Sequence, residues 1–278
     1  MKKIFLIFIS ALFFSCQEEV FLPLGEKDQL VPTIEGIWTD NGIYNSVRIT
    51  LSKNYYDSTD TQVITDAEVV ITIPGTEKVI PFRYFGATKT YRPVNPLERA
   101  VIGENYQLFV KWKDVVFRSE GVMLEPPLID SVRWNFQEKR LLREEGYYIK
   151  VYGRVPFKQD NNYRIRVIEN DTLKNQRDDY LLFDDTFGLK FFEQGLELGY
   201  AFKENDRVRL ELYRLNRDAY TYLNQLVNLL FSDGGLFSPP PQNPETNIKV
   251  VQGNSEVLGY FMVSPVLART VVIQAKYD

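Results

Sequence analysis

Histidine is absent from all 278 residues, so no Ser-His-Asp or Cys-His catalytic unit can be assembled within the chain. The commonest zinc ligand goes with it. Cysteine occurs once, at Cys16; no internal disulfide can form, and packing alone must hold the fold. Net charge is −4. A mildly acidic chain without a basic stripe is poorly suited to nucleic acid, which is not an expected partner.

What is present points to sheet. The chain is 44% apolar, enough to fill real cores over a length that suits two ordinary domains. Tyr and Phe are abundant, and Val, Ile and Thr recur in short runs. Only one stretch keeps a helical period for more than three turns, so the expected class is mostly β. No internal repeat is found.

The N-terminus reads as an address. Lys2 and Lys3 open it, and residues 4–14 are apolar apart from Ser10. A membrane-spanning helix needs about 20 residues, so this run is too short to cross, but it fits the apolar part of a signal peptide covering residues 1–15. Phe13-Phe14-Ser15-Cys16 resembles a lipobox, with Phe13 where Leu is usual. Cleavage before Cys16 would remove two lysines and no acid, lowering the net charge to −6. Cys16 is then the lipidated residue, and more than one acyl chain gives lasting attachment where a single chain would not. Gln17, Glu18 and Glu19 resemble the surface-export signal of lipoproteins in Bacteroides- and Flavobacterium-like bacteria. Residues 16–29 form the lipidated tether, and the expected location is the outer membrane, facing the exterior. The alternative makes Cys16 a buried residue opening a core strand.

Beyond residue 30 strand follows strand. Segments 34–38 and 47–51 flank Asp40-Asn41-Gly42, a turn sequence that favours positive φ, and suggest a hairpin. Further strands are expected at 68–73, 79–84, 106–112 and 115–118. Together they suggest an immunoglobulin-like or transthyretin-like β-sandwich over residues 30–124. Glu125-Pro126-Pro127 cannot continue a ladder, because proline has no N–H to donate. A second β-rich domain is expected over 125–278, with strands at 129–136, 147–155, 163–169, 181–183, 208–215, 257–263 and 270–275. Between 218 and 231 the period changes: Tyr220, Leu223, Leu226, Val227 and Leu230 fall at helical spacing, Asp218 is the expected N-cap, and Gly234-Gly235 the stop. This amphipathic helix should pack on the second sheet. A proline-rich loop follows at 237–244.

These landmarks resemble the family of outer-membrane lipoproteins known as domain of unknown function 4249. The residues that carry the resemblance are Asp66-Ala67-Glu68-Val69-Val70-Ile71, Gly103-Glu104-Asn105-Tyr106-Gln107-Leu108 and Pro127-Leu128-Ile129-Asp130-Ser131-Val132. Asn162-Tyr163-Arg164 and Phe183-Asp184-Asp185-Thr186-Phe187 continue the series, followed by Leu215 to Leu223 and by Gly253 to Phe261. The last stretch departs by carrying Asn254, Ser255 and Glu256 where a tighter turn of small residues is usual. The resemblance implies an N-terminal sandwich, a second β-rich domain, a Bacteroidota outer membrane, and association with TonB-dependent, barrel-type transporters. It implies no catalytic activity.

Candidate chemistry is sparse. Without histidine, hydrolysis would rest on paired carboxylates, for which Asp178-Asp179, Asp184-Asp185, Asp57 and Asp60 are the candidates. The same acids could hold Ca²⁺ with loop carbonyls, although the Gly and distal Glu of an EF-hand loop are missing; no catalytic residue, metal ligand or cofactor is assigned beyond the covalent lipid. Tyr55-Tyr56, Trp112, Trp134, Tyr147-Tyr148 and Phe191-Phe192 are candidate surface anchors, with one of each adjacent pair expected inside. Asp130-Ser131-Val132 and Asp171-Thr172-Leu173 resemble Bacteroidota O-glycosylation triplets, and Thr172, beside a turn, is the candidate site. The leading expectation is a non-enzymatic surface lipoprotein acting as accessory or substrate-capture subunit of a TonB-dependent-transporter-like barrel. The alternatives are a structural subunit of an outer-membrane assembly or export complex, and a carboxylate-dependent hydrolase.

Overall fold

A computed structural model describes residues 30–53, 57–176, 179–184, 190–231 and 242–275. The expected signal peptide, Cys16, the tether, Tyr55-Tyr56, Asp178, Asp185, Gly234-Gly235 and most of the proline-rich loop lie outside them. Among the described residues the protein is mostly β, as its composition predicts.

Alternation sets the first sheet. Strands β1 (Pro32–Thr39), β2 (Ser46–Leu51), β3 (Glu68–Thr72), β4 (Val79–Phe85), β5 (Thr90–Pro93), β6 (Asn105–Trp112) and β7 (Val115–Val122) follow one another along the chain. In β1 and β6 every second side chain is buried, which commits each strand to one face. The sheet does not end there. β15 (Lys249–Gln252) and β16 (Leu258–Ser264), from the far end of the chain, supply its two outermost strands in the order β15-β7-β6-β3-β4-β5-β2-β1-β16. β16 lies parallel to β1.

The nine-stranded sheet curls into a half-barrel, bringing β16 round towards β7. A Cβ on Gly121 of β7 would come within 2.9 Å of Val263 of β16. Inside lies one core in which Trp38 is fully buried, its ring 5.9 Å from Phe82 and 5.8 Å from Tyr106. Each fully buried aliphatic or aromatic side chain there stabilises the fold by about 1.5–3 kcal/mol.

The expected first hairpin forms, since β1 and β2 pair antiparallel, but its turn differs from the prediction. Neither Asn41 nor Gly42 adopts positive φ. The connection is a wider loop held by the Asn45 side chain, whose Oδ1 accepts from Thr39 N at 2.7 Å and Thr39 Oγ1 at 2.9 Å. Glycine is required at 42 for space, because a Cβ there would meet the Pro96 carbonyl at 2.6 Å.

The chain leaves regular structure at residues 123–127, where Pro126 and Pro127 fall. Beyond them two further sheets face each other. β8 (Leu128–Gln137), β9 (Gly146–Arg154) and β13 (Leu196–Glu197) form one. β10 (Asn162–Glu169), β11 (Thr172–Leu173), β12 (Leu181–Asp184), β14 (Arg207–Leu215) and β17 (Val266–Val272) form the other. Ile149, Val151, Val167, Val208 and Leu212 fill the space between them. The short helix α1 (Lys190–Gln194) presses Phe192 against β9, where Gly153 leaves the room; a Cβ there would lie 1.9 Å from the ring.

Helix α2 spans Arg217–Leu230, close to the predicted 218–231, but its cap is not Asp218. β14 runs to Leu215, so the chain must turn at Asn216, the N-cap, which is extended (φ −64, ψ 150) and makes no side-chain capping bond. Asp218 lies inside the first turn. The buried face also shifts, to Ala219, Tyr222 and Leu223, because Tyr222 packs against Tyr260 of β16 at 5.1 Å between ring centroids. Leu230, counted in the predicted stripe, is exposed.

Candidate functional site

The two ends of the curled sheet are joined by a short stitched segment. Ser119 Oγ on β7 donates to the Asn247 carbonyl at 2.8 Å. The Asn247 side chain then behaves like a piece of strand backbone: Nδ2 donates to the Phe261 carbonyl at 2.8 Å, and Oδ1 accepts from Phe261 N at 2.9 Å. Thr246 Oγ1 donates to the Gly259 carbonyl at 2.6 Å. Gly259 has φ +103, and a Cβ there would meet the Ile34 carbonyl at 1.9 Å. Only glycine fits such a position.

Outside this seam lies a cleft of about 510 Å³. One wall is the β7–β15 ladder with Arg118, Glu120 and Lys249; the other is the start of α2 with Arg217, Asp218 and Thr221; Glu245, Thr246 and Asn247 complete the lining. Arg118 and Lys249 are opposite one another in register. Like charges in that relation repel, and the pairing of Arg118 with Glu120, 3.4 Å away, offsets only part of it. Glu245 is fixed through its N–H, which donates to Gln225 Oε1 at 2.7 Å. Charge of both signs and hydroxyl groups on a stitched frame suit reversible binding of a polar or zwitterionic ligand.

A second polar cluster lies inside the molecule. Glu211 is almost fully buried, contacted by Arg209 at 3.0 Å and Arg166 at 3.4 Å, and it accepts from Tyr213 OH at 3.1 Å. Burial pushes the Tyr213 hydroxyl well above its ordinary value. The carboxylate is satisfied by cations and a hydroxyl, as a buried charge requires. It braces the second sheet behind β16 and is closed to solutes.

The acids considered for hydrolysis or calcium binding are not gathered into a site among the described residues. Asp57 caps its own exposed loop, accepting from Thr59 N at 2.9 Å. Asp179 is buried and accepts from Gln176 N at 2.8 Å. Asp184 ends β12 and holds the Tyr220 hydroxyl, which burial and then this carboxylate push up to about 12. No group of three or more Cys, Asp or Glu residues at metal-binding spacing occurs among the described residues.

Of the aromatic candidates, Tyr148 and Phe192 are buried, Tyr147 is half-buried, and the Phe191 side chain falls outside the description. Trp112 is half-buried against the first core, its Nε1 donating to Asp66 at 3.1 Å. Trp134 is tied by Nε1 to the Gln274 carbonyl at 3.0 Å. Thr172 is exposed on β11, following a tight turn in which Asn170 and Asp171 have φ +48 and +65. Ser131 is half-buried within β8. Of the cleft lining, Asp218 and its helix are legible in the sequence as structural elements, whereas Glu245 to Lys249 are not, because residues 245–252 lack a clear alternation.

Fold and cleft define the class as a multi-sheet, mostly β protein whose first sheet is completed by its own C-terminal strands. The chain belongs to the family of domain of unknown function 4249 (DUF4249), whose model matches residues 17–270. None of the curated proteins compared with it matches. Several stretches that carried the resemblance have structural duties: Gly103 turns at φ +84, Tyr106 OH donates to Glu104 at 2.6 Å, and Gly253 to Phe261 leads the chain into β16. Among the described residues, no helix is long and apolar enough to cross a membrane.

Proposed function

We propose that this protein is a non-enzymatic lipoprotein, held on the outer membrane through Cys16, that serves a TonB-dependent-transporter-like barrel as an accessory or substrate-capture subunit. The observation that carries the reading is the open cleft beside the seam, with Arg118, Arg217 and Lys249 set among Glu120, Asp218 and Glu245. Such a surface recognises polar solutes by charge and hydrogen bonds, and no imidazole or second thiol stands by to act on them. The lipobox at Cys16 and the acids after it support the location.

Purification of the native lipoprotein in mild detergent tests the assembly: a β-barrel transporter is expected to accompany it, and a monodisperse protein alone would overturn the reading. The double variant Arg118→Glu, Lys249→Glu tests the cleft. It is expected to abolish solute capture while leaving the barrel bound; unchanged capture would place the site elsewhere.

A second reading, a structural subunit of an outer-membrane assembly or export machine, is favoured by one feature. Leu97 and Ile43 expose 82% and 74% of their surface on neighbouring loops, which suits docking to another protein. Depletion would then disturb many surface proteins, whereas loss of a single nutrient's uptake would reject it.

A further inference from the structure

The β8–β9 hairpin is unusual in two respects. β8 is the outer strand of its sheet, with β9 as its sole strand neighbour among the described residues, so one row of its backbone groups is free to pair. The hairpin also overreaches the sandwich. The ladder ends at Gln137↔Gly146, and beyond it an isolated bridge in the same register joins Arg140 and Arg143, which exchange N–H···O bonds of 2.9 and 3.2 Å. The cover of the opposite sheet has been left behind near Trp134, whose indole meets Gln274.

What the overhang exposes is apolar. Leu141 and Leu142 form the two-residue turn, a place ordinarily given to Gly, Asn, Asp or Pro, and each is 97% exposed. Phe136 is half bare although it is on the core-facing side with Trp134, and Leu128 is exposed at the other end of β8. The charges beside the turn are balanced: Lys139 pairs with Glu144 at 3.6 Å, Arg143 and Lys150 both pair with Glu197, and Glu138, Arg140 and Glu145 complete the set. That balance gives no net attraction to lipid headgroups and points to a protein surface.

We infer that the occupant is a second copy of this chain, paired antiparallel along β8 about a two-fold axis through Asn135. Such an interface is self-complementary by symmetry. With Asn135 opposite Asn135 of the second copy, Trp134 faces Phe136, Arg133 faces Gln137 and Ser131 faces Lys139. The two aromatic pairs cover the bare Phe136 rings, and aromatic cross-strand pairs are among the stabilising ones. Beyond the bulge between Ile129 and Ser131, the same register carries Asp130 alongside Arg140 and Leu128 alongside the Leu141-Leu142 turn. Other registers are worse. An axis at Arg133 opposes two guanidinium groups, and one at Trp134 opposes Asp130 to Glu138. Dimerisation joins the two three-stranded sheets into one, independently of any barrel partner.

A single introduced thiol tests this in the full-length lipoprotein, whose one native cysteine is Cys16. Opposed residues of an antiparallel pair have Cα atoms about 4.5–5.5 Å apart, within disulfide reach. Asn135→Cys is expected to give a disulfide-linked dimer under mild oxidation in washed membranes, while Leu97→Cys, also exposed but on the loop between β5 and β6, stays monomeric. Adding Leu141→Glu and Leu142→Glu, two fully exposed positions that the fold does not need, is expected to cut the dimer yield by about tenfold. Equal dimer yields from Asn135→Cys and Leu97→Cys, or cross-links from position 135 to a different protein only, would overturn the proposal.

Discussion

Asp206 illustrates how one side chain can hold three strand ends. Its carboxylate accepts from Asn170 Nδ2 at 2.8 Å and from Lys203 N at 2.7 Å, while its carbonyl receives Ile273 N at 2.9 Å. Burial alone would raise its pKa, but the bonds from Asn170 and Lys203 outweigh it and hold the carboxyl below its ordinary value. The stabilisation is therefore present above a pH of about 4, the ordinary carboxylate value, and is lost as pH falls through the depressed one. Asp206→Asn is expected to lower stability at neutral pH by about 1–3 kcal/mol and to flatten the acid limb of the stability curve; urea unfolding at pH 7 and pH 3 would show both. Cys16→Ala acts at the same scale and has no expected effect on the body. The variant should leave the membrane fraction, and its retention in washed membranes without a partner would contradict the anchor.

Elements are held more by tertiary burial than by local signals, and α2 shows this. Asp218, in the first turn rather than at the cap, contributes only through the helix dipole, so Asp218→Ala should cost about 0.3–1 kcal/mol. Leu223 is buried in the core that joins α2 to β14 and β16, and Leu223→Ala should cost about 2–5 kcal/mol. Comparable losses from the two substitutions in thermal unfolding would reverse this ranking. The β10–β11 hairpin is the opposite case. Its Asn170-Asp171 turn takes positive φ at both positions, a conformation those residue types accept, and here local chemistry decides the shape.

For the whole molecule, the decisive feature is that β15 and β16 return to complete the first sheet. A fragment of residues 30–124 would lack both outer strands. It would leave β1 unpaired along one edge and strip Phe261 and Val263 from the core that holds Trp38. It is expected to bind a hydrophobic dye and to lack a cooperative unfolding transition. Folding of that fragment with native near-ultraviolet dichroism would show that the closing strands are dispensable. Asn247 is the point of weakness in the closure, because its side chain satisfies both the N–H and the carbonyl of Phe261.

The sequence by itself determined the mostly β class, most of the strands and the one long helix, because a period of two or 3.6 is local and survives in composition. It also determined the family, through short segments such as Gly103 to Leu108 whose turn and tyrosine bonds are local. β5 and β15, four residues each, are too short for an alternating pattern to be recognised. Tertiary structure alone decided that Asn247 would stand in for a strand, that Arg118 would face Lys249, and that the cleft would form beside them. Ser119 and Asn247, like Arg118 and Lys249, lie more than a hundred positions apart; such contacts, and the Asn247 bonds to Phe261 that close the seam, are set by how far the sheet curls, which no local period encodes.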